Sequence, residues 1–273
     1  MGSFLPKCQQ REGDSRRMFR GLGKLWGVST SAIIAREKER ARHQLLGRRY
    51  LVLLIALLLL FILYPFINQE VTEAQHVSVF FTVILIAGAY AVSHKRGFLV
   101  LAIALATGML SAQWLAHLQH VNPVTIAISR GFGFLFFLLT AIAILSDVLK
   151  SKMVTADTIY GAICAYLLLG LMWAFLLCML EVLHPGSLLE GGQPIASGHV
   201  AFPQFAMINS LIYYSMSTLS TVGYGDILPK TGPARAFSVM EAICGQMYLT
   251  ILIARLVAMQ IAHSAMRQTL PKE

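Results

Sequence analysis

Six stretches of the chain are apolar over a length that approaches the thickness of a bilayer: Tyr50–Ile67, Val77–Val92, Phe98–Ala116, Val124–Leu145, Thr158–Leu180 and Ala234–Ala262. A helix needs about 20 mostly apolar residues to cross roughly 30 Å of hydrocarbon. The second stretch is a little short, but its flanks extend it and it forms a clear hairpin with the third. The pattern predicts an all-α membrane protein with six transmembrane helices. It excludes a soluble globular domain, as do the 56% hydrophobic and only 13% charged residues.

The net charge of +9 raises the question of a nucleic-acid partner, and its distribution answers it. Residues 1–49 hold twelve Lys/Arg and four Asp/Glu, nearly the whole excess. The other basic clusters, Lys95-Arg96 and Lys150/Lys152, fall in two short loops between apolar stretches. The alternate loops carry Glu70/Glu73, then no charge over 117–123, then Glu181/Glu190. Cytoplasmic loops are enriched in Lys and Arg, so both termini and the basic loops are expected inside. The basic arm reads as a topology determinant touching anionic lipid head groups, and no nucleic-acid partner is expected.

Three of the four cysteines, Cys164, Cys178 and Cys244, lie within apolar stretches, and Cys8 lies in the arm. Their spacing fits neither a disulfide framework nor a metal site. Ser15-Arg16-Arg17-Met18-Phe19 resembles a twin-arginine export signal, but Arg36-Glu37-Lys38-Glu39-Arg40 follows where its apolar region belongs. Met1-Gly2 lacks the downstream Ser or Thr of a myristoylation site, because Pro6 stands there. Residues 1–28 are expected to be disordered, and Ser31–Leu46 to form a short charged helix.

Between the fifth and sixth stretches the chain turns polar, with His184-Pro185-Gly186, Gly191-Gly192, Pro194, Gly198 and Pro203, an outside loop. Gln204–Leu219 then reads as a helix too short to span, with Phe205, Ile208, Leu211, Ile212 and Met216 apolar. "STVGYGD" closes it. Non-helical backbone at membrane depth is tolerated only where it is buried in protein or lines a water-filled path. A re-entrant helix followed by an extended strand satisfies that condition. Gly223 and Gly225 admit backbone angles closed to other residues, which lets successive carbonyls point one way. A ring of carbonyl oxygens replaces the water shell of a desolvated cation, and the Thr221 hydroxyl adds to it. One chain supplies one wall, so a ring needs several copies about an axis, most simply four.

Thr218-Leu219-Ser220-Thr221-Val222-Gly223-Tyr224-Gly225-Asp226 resembles the selectivity-filter motif of six-transmembrane tetrameric potassium channels of the voltage-gated-like superfamily. The likeness is strongest over 158–262. Ala156-Asp157-Thr158-Ile159-Tyr160-Gly161 and Ile253-Ala254-Arg255-Leu256-Val257 look like segments of bacterial members without a charged voltage sensor. The ion assignment comes from this resemblance, not from spacing. It implies that the carbonyls of Thr221, Val222, Gly223 and Tyr224, with the Thr221 hydroxyl, coordinate K+ in a filter ending at Gly225. It also implies that Tyr224 packs away from the pore against Tyr213 and Tyr214, and that Asp226 stands behind the outer mouth. Many relatives pair that Asp with a pore-helix Glu; here Ser217 stands at the matching position, so the resemblance leaves open what braces this filter.

The resemblance also frames the rest of the chain. Relatives carry an Arg or Lys at every third residue of the fourth helix, whereas "VTIAISRGFGFLFFLLTAIAIL" has Arg130 alone. A steep voltage response needs about 3–4 charges per subunit, so gating by voltage is expected to be weak or absent. Arg130 reads as a lone structural charge or a residual weak sensor. Glu241 is expected to brace the pore loop from behind, and Arg255 to snorkel at the inner mouth. Gly245 invites two readings, close packing against a neighbouring helix or, by family resemblance, a gating hinge. His184, His199 and His263 read as surface histidines. Regulation is expected through the arm, lipids, histidines or a partner protein, since the residues after the sixth stretch are too few for a nucleotide- or calcium-binding module.

The expected organisation is a basic N-terminal arm over 1–49, a four-helix sensor-like domain over 50–145, a cytoplasmic linker over 146–157, a pore domain over 158–262 and a short cytoplasmic tail over 263–273. The expected function is passive, potassium-selective conduction by a homotetramer in lipid, in a bacterial inner membrane, with no cofactor beyond the permeant ion. A poorly selective cation channel is the alternative in the same class. A secondary transporter is disfavoured because only one broken segment is present, whereas transporters pair them. An enzyme is disfavoured because no nucleophile–base set or HExxH-type cluster stands in the apolar stretches.

Overall fold

The computed structural model describes residues 49–63, 74–93, 95–118, 123–151, 155–195 and 203–269. The chain divides into two units, residues 1–48 and 49–273. The basic arm up to residue 48, with its expected helix over Ser31–Leu46, lies outside the described residues, as do His199 and the Glu70/Glu73 loop.

Each of the six apolar stretches holds a helix: α1 Arg49–Leu63, α2 Ala74–Val92, α3 Arg96–Leu118, α4 Pro123–Lys150, α5 Ala156–Leu183 and, at the end, α7 Gly232–Thr269. Between α5 and α7 come β1 Leu188–Glu190, β2 Gln193–Pro194, α6 Pro203–Leu219 and β3 Ile227–Pro229. Among the described residues α4, α5 and α7 over Gly232–Ile261 are long and apolar enough to cross a membrane. The shorter apolar helices are Arg49–Leu63, Phe81–Val92 and Arg96–Ala112. The sequence-based linker over 146–157 proves shorter, because α4 runs on to Lys150 and α5 begins at Ala156. The side chain of Thr155 caps α5 by accepting the Thr158 N–H at 3.2 Å, and Asp157 in the first turn suits the positive end of the helix dipole.

α4 and α5, separated by five residues in the sequence, pack against one another. Their contact is close because small residues sit in it. A Cβ at Gly133 would run into the ring of Phe175, and one at Gly161 would lie 3.1 Å from Val148 and 3.2 Å from Tyr50. Phe175 is the hub, edge-on to Phe137 at 5.1 Å and to Phe81 at 5.5 Å between centroids. Leu53, Leu57, Ile84, Met109, Phe136 and Phe137 complete a core shared by α1 to α5.

At one end of the bundle Lys95 pairs with Asp147 at 2.7 Å and donates to the Ala143 carbonyl at 3.2 Å, while the Tyr50 hydroxyl donates to Asp147 at 3.0 Å. Arg130 is 5% exposed, its guanidinium 5.7 Å from the centroid of Phe175. It lies inside the α4–α5 contact rather than at a water-filled face. Arg255 does more than reach for an interface: its Nη2 donates to the Ser151 carbonyl at 3.0 Å, tying α7 to the α4–α5 turn.

The segment between α5 and α7, read from sequence as a loop outside the membrane, contributes to a small sheet of order β2-β1-β3. β1 pairs with β3 in the register Leu188↔Pro229, Leu189↔Leu228 and Glu190↔Ile227. Alternate pairs of an antiparallel ladder exchange hydrogen bonds. Here Lys230 N–H donates to Ser187 at 2.8 Å and Gly191 N–H to Asp226 at 3.3 Å, which puts Pro229 opposite Leu188 at a pair where no N–H is needed.

Candidate functional site

The short helix α6 delivers the chain to the strand that follows it. α6 is amphipathic in a bundle sense: Met207, Ile208, Leu211, Ile212 and Leu219 are buried against α5 and α7. At its C-terminus the backbone does not continue as a helix or a regular strand. Thr221, Gly223 and Gly225 have φ of 61°, 56° and 82°, while Val222 and Tyr224 between them do not have positive φ. In an ordinary strand successive carbonyls point to opposite sides. Alternating the hand of the backbone at every residue turns them to the same side. Glycine enters the positive region freely, but Thr221 is β-branched and is strained there, at a cost of about 1–3 kcal/mol.

Ser217 holds this geometry. Its carbonyl accepts the N–H of Val222 at 2.9 Å and of Gly223 at 3.2 Å, and its hydroxyl accepts the N–H of Tyr224 at 3.4 Å. The Thr218 carbonyl accepts the N–H of Thr221 at 3.0 Å. Three consecutive N–H groups of the strand therefore turn back towards the end of α6, which frees their side of the chain from donors. The residue that looked like a gap in the family pattern is the one the strand hangs on. A small side chain permits it, since Ser217 is buried directly behind the strand.

Tyr213 and Tyr214 do not share a role. Tyr213 stacks on Tyr224, with centroids 5.8 Å apart and rings 11° from parallel, and Asp226 lies close enough to bear on its hydroxyl electrostatically. Tyr214 is buried on another side of α6, its hydroxyl donating to Ser238 of α7 at 2.7 Å and meeting Thr218. Neighbours on a helix project about 100° apart, so both rings cannot face Tyr224. Asp226 accepts the Ile227 N–H at 3.0 Å.

Glu241 of α7 is 0% exposed and is hydrogen-bonded through Oε1 to the hydroxyl of Ser215, which also donates to the Gly170 carbonyl of α5 at 2.7 Å. One hydroxyl thus ties α5, α6 and α7 together behind the strand. Gly245 faces the end of α6: a Cβ there would overlap the Leu219 carbonyl oxygen and lie 3.0 Å from its carbon. One residue on, the amide Nε2 of Gln246 lies 3.4 Å from the Thr221 hydroxyl. Sequence reasoning passed over Gln246 and noted Ser217 only as a departure from the family pattern. A polar residue in an apolar helix at the level of the strand was the available signal for the first.

Residues Ser220–Asp226 are all exposed in the single chain, Val222 to 54% and Tyr224 to 71%. No group of three or more His, Cys, Asp or Glu side chains placed to hold a metal ion occurs among the described residues.

Residues 197–261 match the family model described as "Ion channel". This stretch contains α6, the strand and most of α7. A Rhodopseudomonas palustris protein named "Putative potassium channel protein" is 39% identical over 57 residues, which are 21% of this chain and 14% of that protein. The match therefore spans a small part of that relative's length. No solved structure matches the chain. With the apolar helices, these likenesses support an ion channel integral to a membrane.

Proposed function

We propose that this chain is the subunit of a homotetrameric, six-span, potassium-selective channel, with 158–262 as its pore domain and Thr221–Gly225 as its filter. The alternating backbone hand at Thr221, Gly223 and Gly225 carries the reading. It gives a short strand one face of carbonyl oxygens, the chemistry that substitutes for the hydration shell of a dehydrated cation. The C-terminal end of α6 directs its partial negative charge towards Thr221, which further favours a cation there. The choice of K+ rests on the family resemblance of the motif and on the name of the similar protein.

Exposure supports the assembly. Val239, Met240, Ile243, Met247, Ile251, Val257 and Ile261 leave α7 with an open apolar face, and the strand alone forms one wall of a path. Four copies about an axis close both. The bundle α1–α4 packs on α5, and the apolar stretch Val124–Leu145 carries Arg130 as its one charge, so conduction is passive and weakly, if at all, dependent on voltage. Basic residues at the Lys95/Lys150 end orient that end to the cytoplasm of a bacterial inner membrane.

Purified protein in potassium-loaded vesicles tests this. Thallium or potassium flux that follows the membrane potential, excludes sodium and needs neither ATP nor a coupled ion is expected. Equal sodium and potassium flux indicates a poorly selective cation channel instead. Uphill flux driven by a second ion indicates a transporter.

A further inference from the structure

We propose that Glu181 is a positioning residue for the strand 221–225, acting through the small sheet, which clamps the chain immediately after that strand. The inference rests on the reading of the strand as an ion path.

Glu181 lies in the last turn of α5 and is 0% exposed. An acid at the C-terminal end of a helix opposes the helix dipole, so helix formation does not account for it. Its two oxygens are both committed outside the helix. Oε1 accepts the Gly186 N–H at 2.8 Å and Oε2 accepts the Leu188 N–H at 2.9 Å. The loop is thereby folded over the end of α5, where the His184 N–H also returns to the Leu180 carbonyl at 2.8 Å and the Ser187 hydroxyl donates to the His184 carbonyl at 2.7 Å.

That fold sets the edge on which the exit of the strand is hung. With Gly186 and Leu188 fixed, the Ser187 carbonyl is presented to the N–H groups of Lys230 at 2.8 Å and Thr231 at 3.5 Å. β1 then pairs residue by residue with Ile227–Pro229, and Gly191 reaches the Asp226 carbonyl. The ladder begins at the residue after Gly225. The strand 221–225 is therefore held from the α6 side by Ser217, Thr218 and the Tyr213 stack on Tyr224, and at its exit by the clamp. A run with positive φ at three alternate residues persists only where its surroundings over-determine it, and holding from the α6 side alone leaves Gly225 free to relax.

Glu181→Gln is the test, in the full chain reconstituted in vesicles. Glutamine offers one carbonyl oxygen, and its amide would set N–H against N–H at the other position, so one of the two bonds is lost. The potassium-over-sodium permeability ratio is expected to fall about tenfold or more, the scale of a lost hydrogen bond to a charged group. Amide exchange at 187–190 and 227–230 is expected to speed up while the size of the assembly stays the same. Leu189→Cys with Leu228→Cys, across a paired position, supplies the second arm. Oxidised on the Glu181→Gln background, the cross-link is expected to restore the ratio, and a reductant to remove it again. A role in general folding alone predicts no such redox-reversible rescue. If Glu181→Gln does not assemble, rescue of assembly and selectivity by the oxidised pair still supports the clamp, and failure of both overturns it. An unchanged ratio with unchanged exchange in Glu181→Gln overturns it as well. A parent protein that conducts without selectivity overturns the preceding functional reading instead, and the exchange data then decide the clamp alone.

Discussion

Gly245 of α7 and Leu219 at the end of α6 meet backbone to backbone, with no room between them for a side chain at 245. Glycine in a helix interior costs roughly 1 kcal/mol against alanine, and this contact explains why the cost is borne. The contact is also the point where the last helix touches the segment that carries the strand. Any movement of α7 at Gly245 is therefore felt two residues before Thr221.

This changes what a substitution at 245 reports. A hinge role alone predicts that Gly245→Ala lowers open probability and leaves ion selectivity intact. Overlap with the Leu219 carbonyl predicts displacement of the α6 end, with a stability loss of about 1–3 kcal/mol and a lower potassium-over-sodium ratio. Single-channel recording with thermal unfolding of the same variant separates the two. Parent-like stability and selectivity with reduced opening would return the residue to the hinge reading.

Gly223→Ala tests the strand directly. With φ of 56°, an alanine there carries a left-handed strain of about 1–2 kcal/mol in each subunit, and there is open space around its Cβ. The strain is therefore conformational, not steric. Relaxation turns the carbonyl away from its neighbours, so selectivity is expected to be lost while the assembly survives on a sizing column. A selective, assembled Gly223→Ala channel would sink the filter assignment.

Arg130 is enclosed between α4 and α5 over the face of Phe175, so it has little freedom to move with the membrane potential. Arg130→Gln is expected to leave the slope of the conductance–voltage curve almost unaltered and to destabilise the protein by about 1 kcal/mol or more through the lost cation–ring contact. Flattening of a steep curve by Arg130→Gln would make it a sensor after all.

Helix positions and the break between α5 and α7 were legible in the sequence, because apolar length and glycine spacing are local properties. The alternation at Gly223 and Gly225 was legible for the same reason. Thr221 was not, since its positive φ is imposed against its own preference by bonds to Thr218 and through Ser217. The sheet was missed because its strands are two or three residues long, too short to show a period. The separate duties of Tyr213 and Tyr214 depend on which neighbours α6 meets, and Glu181 depends on a loop folding back across seven residues. Those are tertiary facts, and no pattern along the chain carries them.

For Glu241 the hydrogen-bond count at Ser215 says what should replace it. The Ser215 hydroxyl has one proton and two acceptors in reach, the Gly170 carbonyl and Glu241 Oε1, while Glu241 Oε2 is buried without a partner among the described residues. A glutamine at 241 can give an N–H to Ser215 Oγ while Ser215 gives its proton to Gly170, so both contacts survive with no added charge. Glu241→Gln is expected to match the parent within about 1 kcal/mol of stability and to conduct with the same selectivity. Glu241→Ala instead opens a cavity behind the strand and deletes the tie to α6, with an expected loss of about 2–4 kcal/mol and faster decay of current. Thermal unfolding and current decay measured on the two variants together check this. A Glu241→Gln protein as damaged as Glu241→Ala would mean that the charge itself is needed, and that its counter-charge comes from a neighbouring copy.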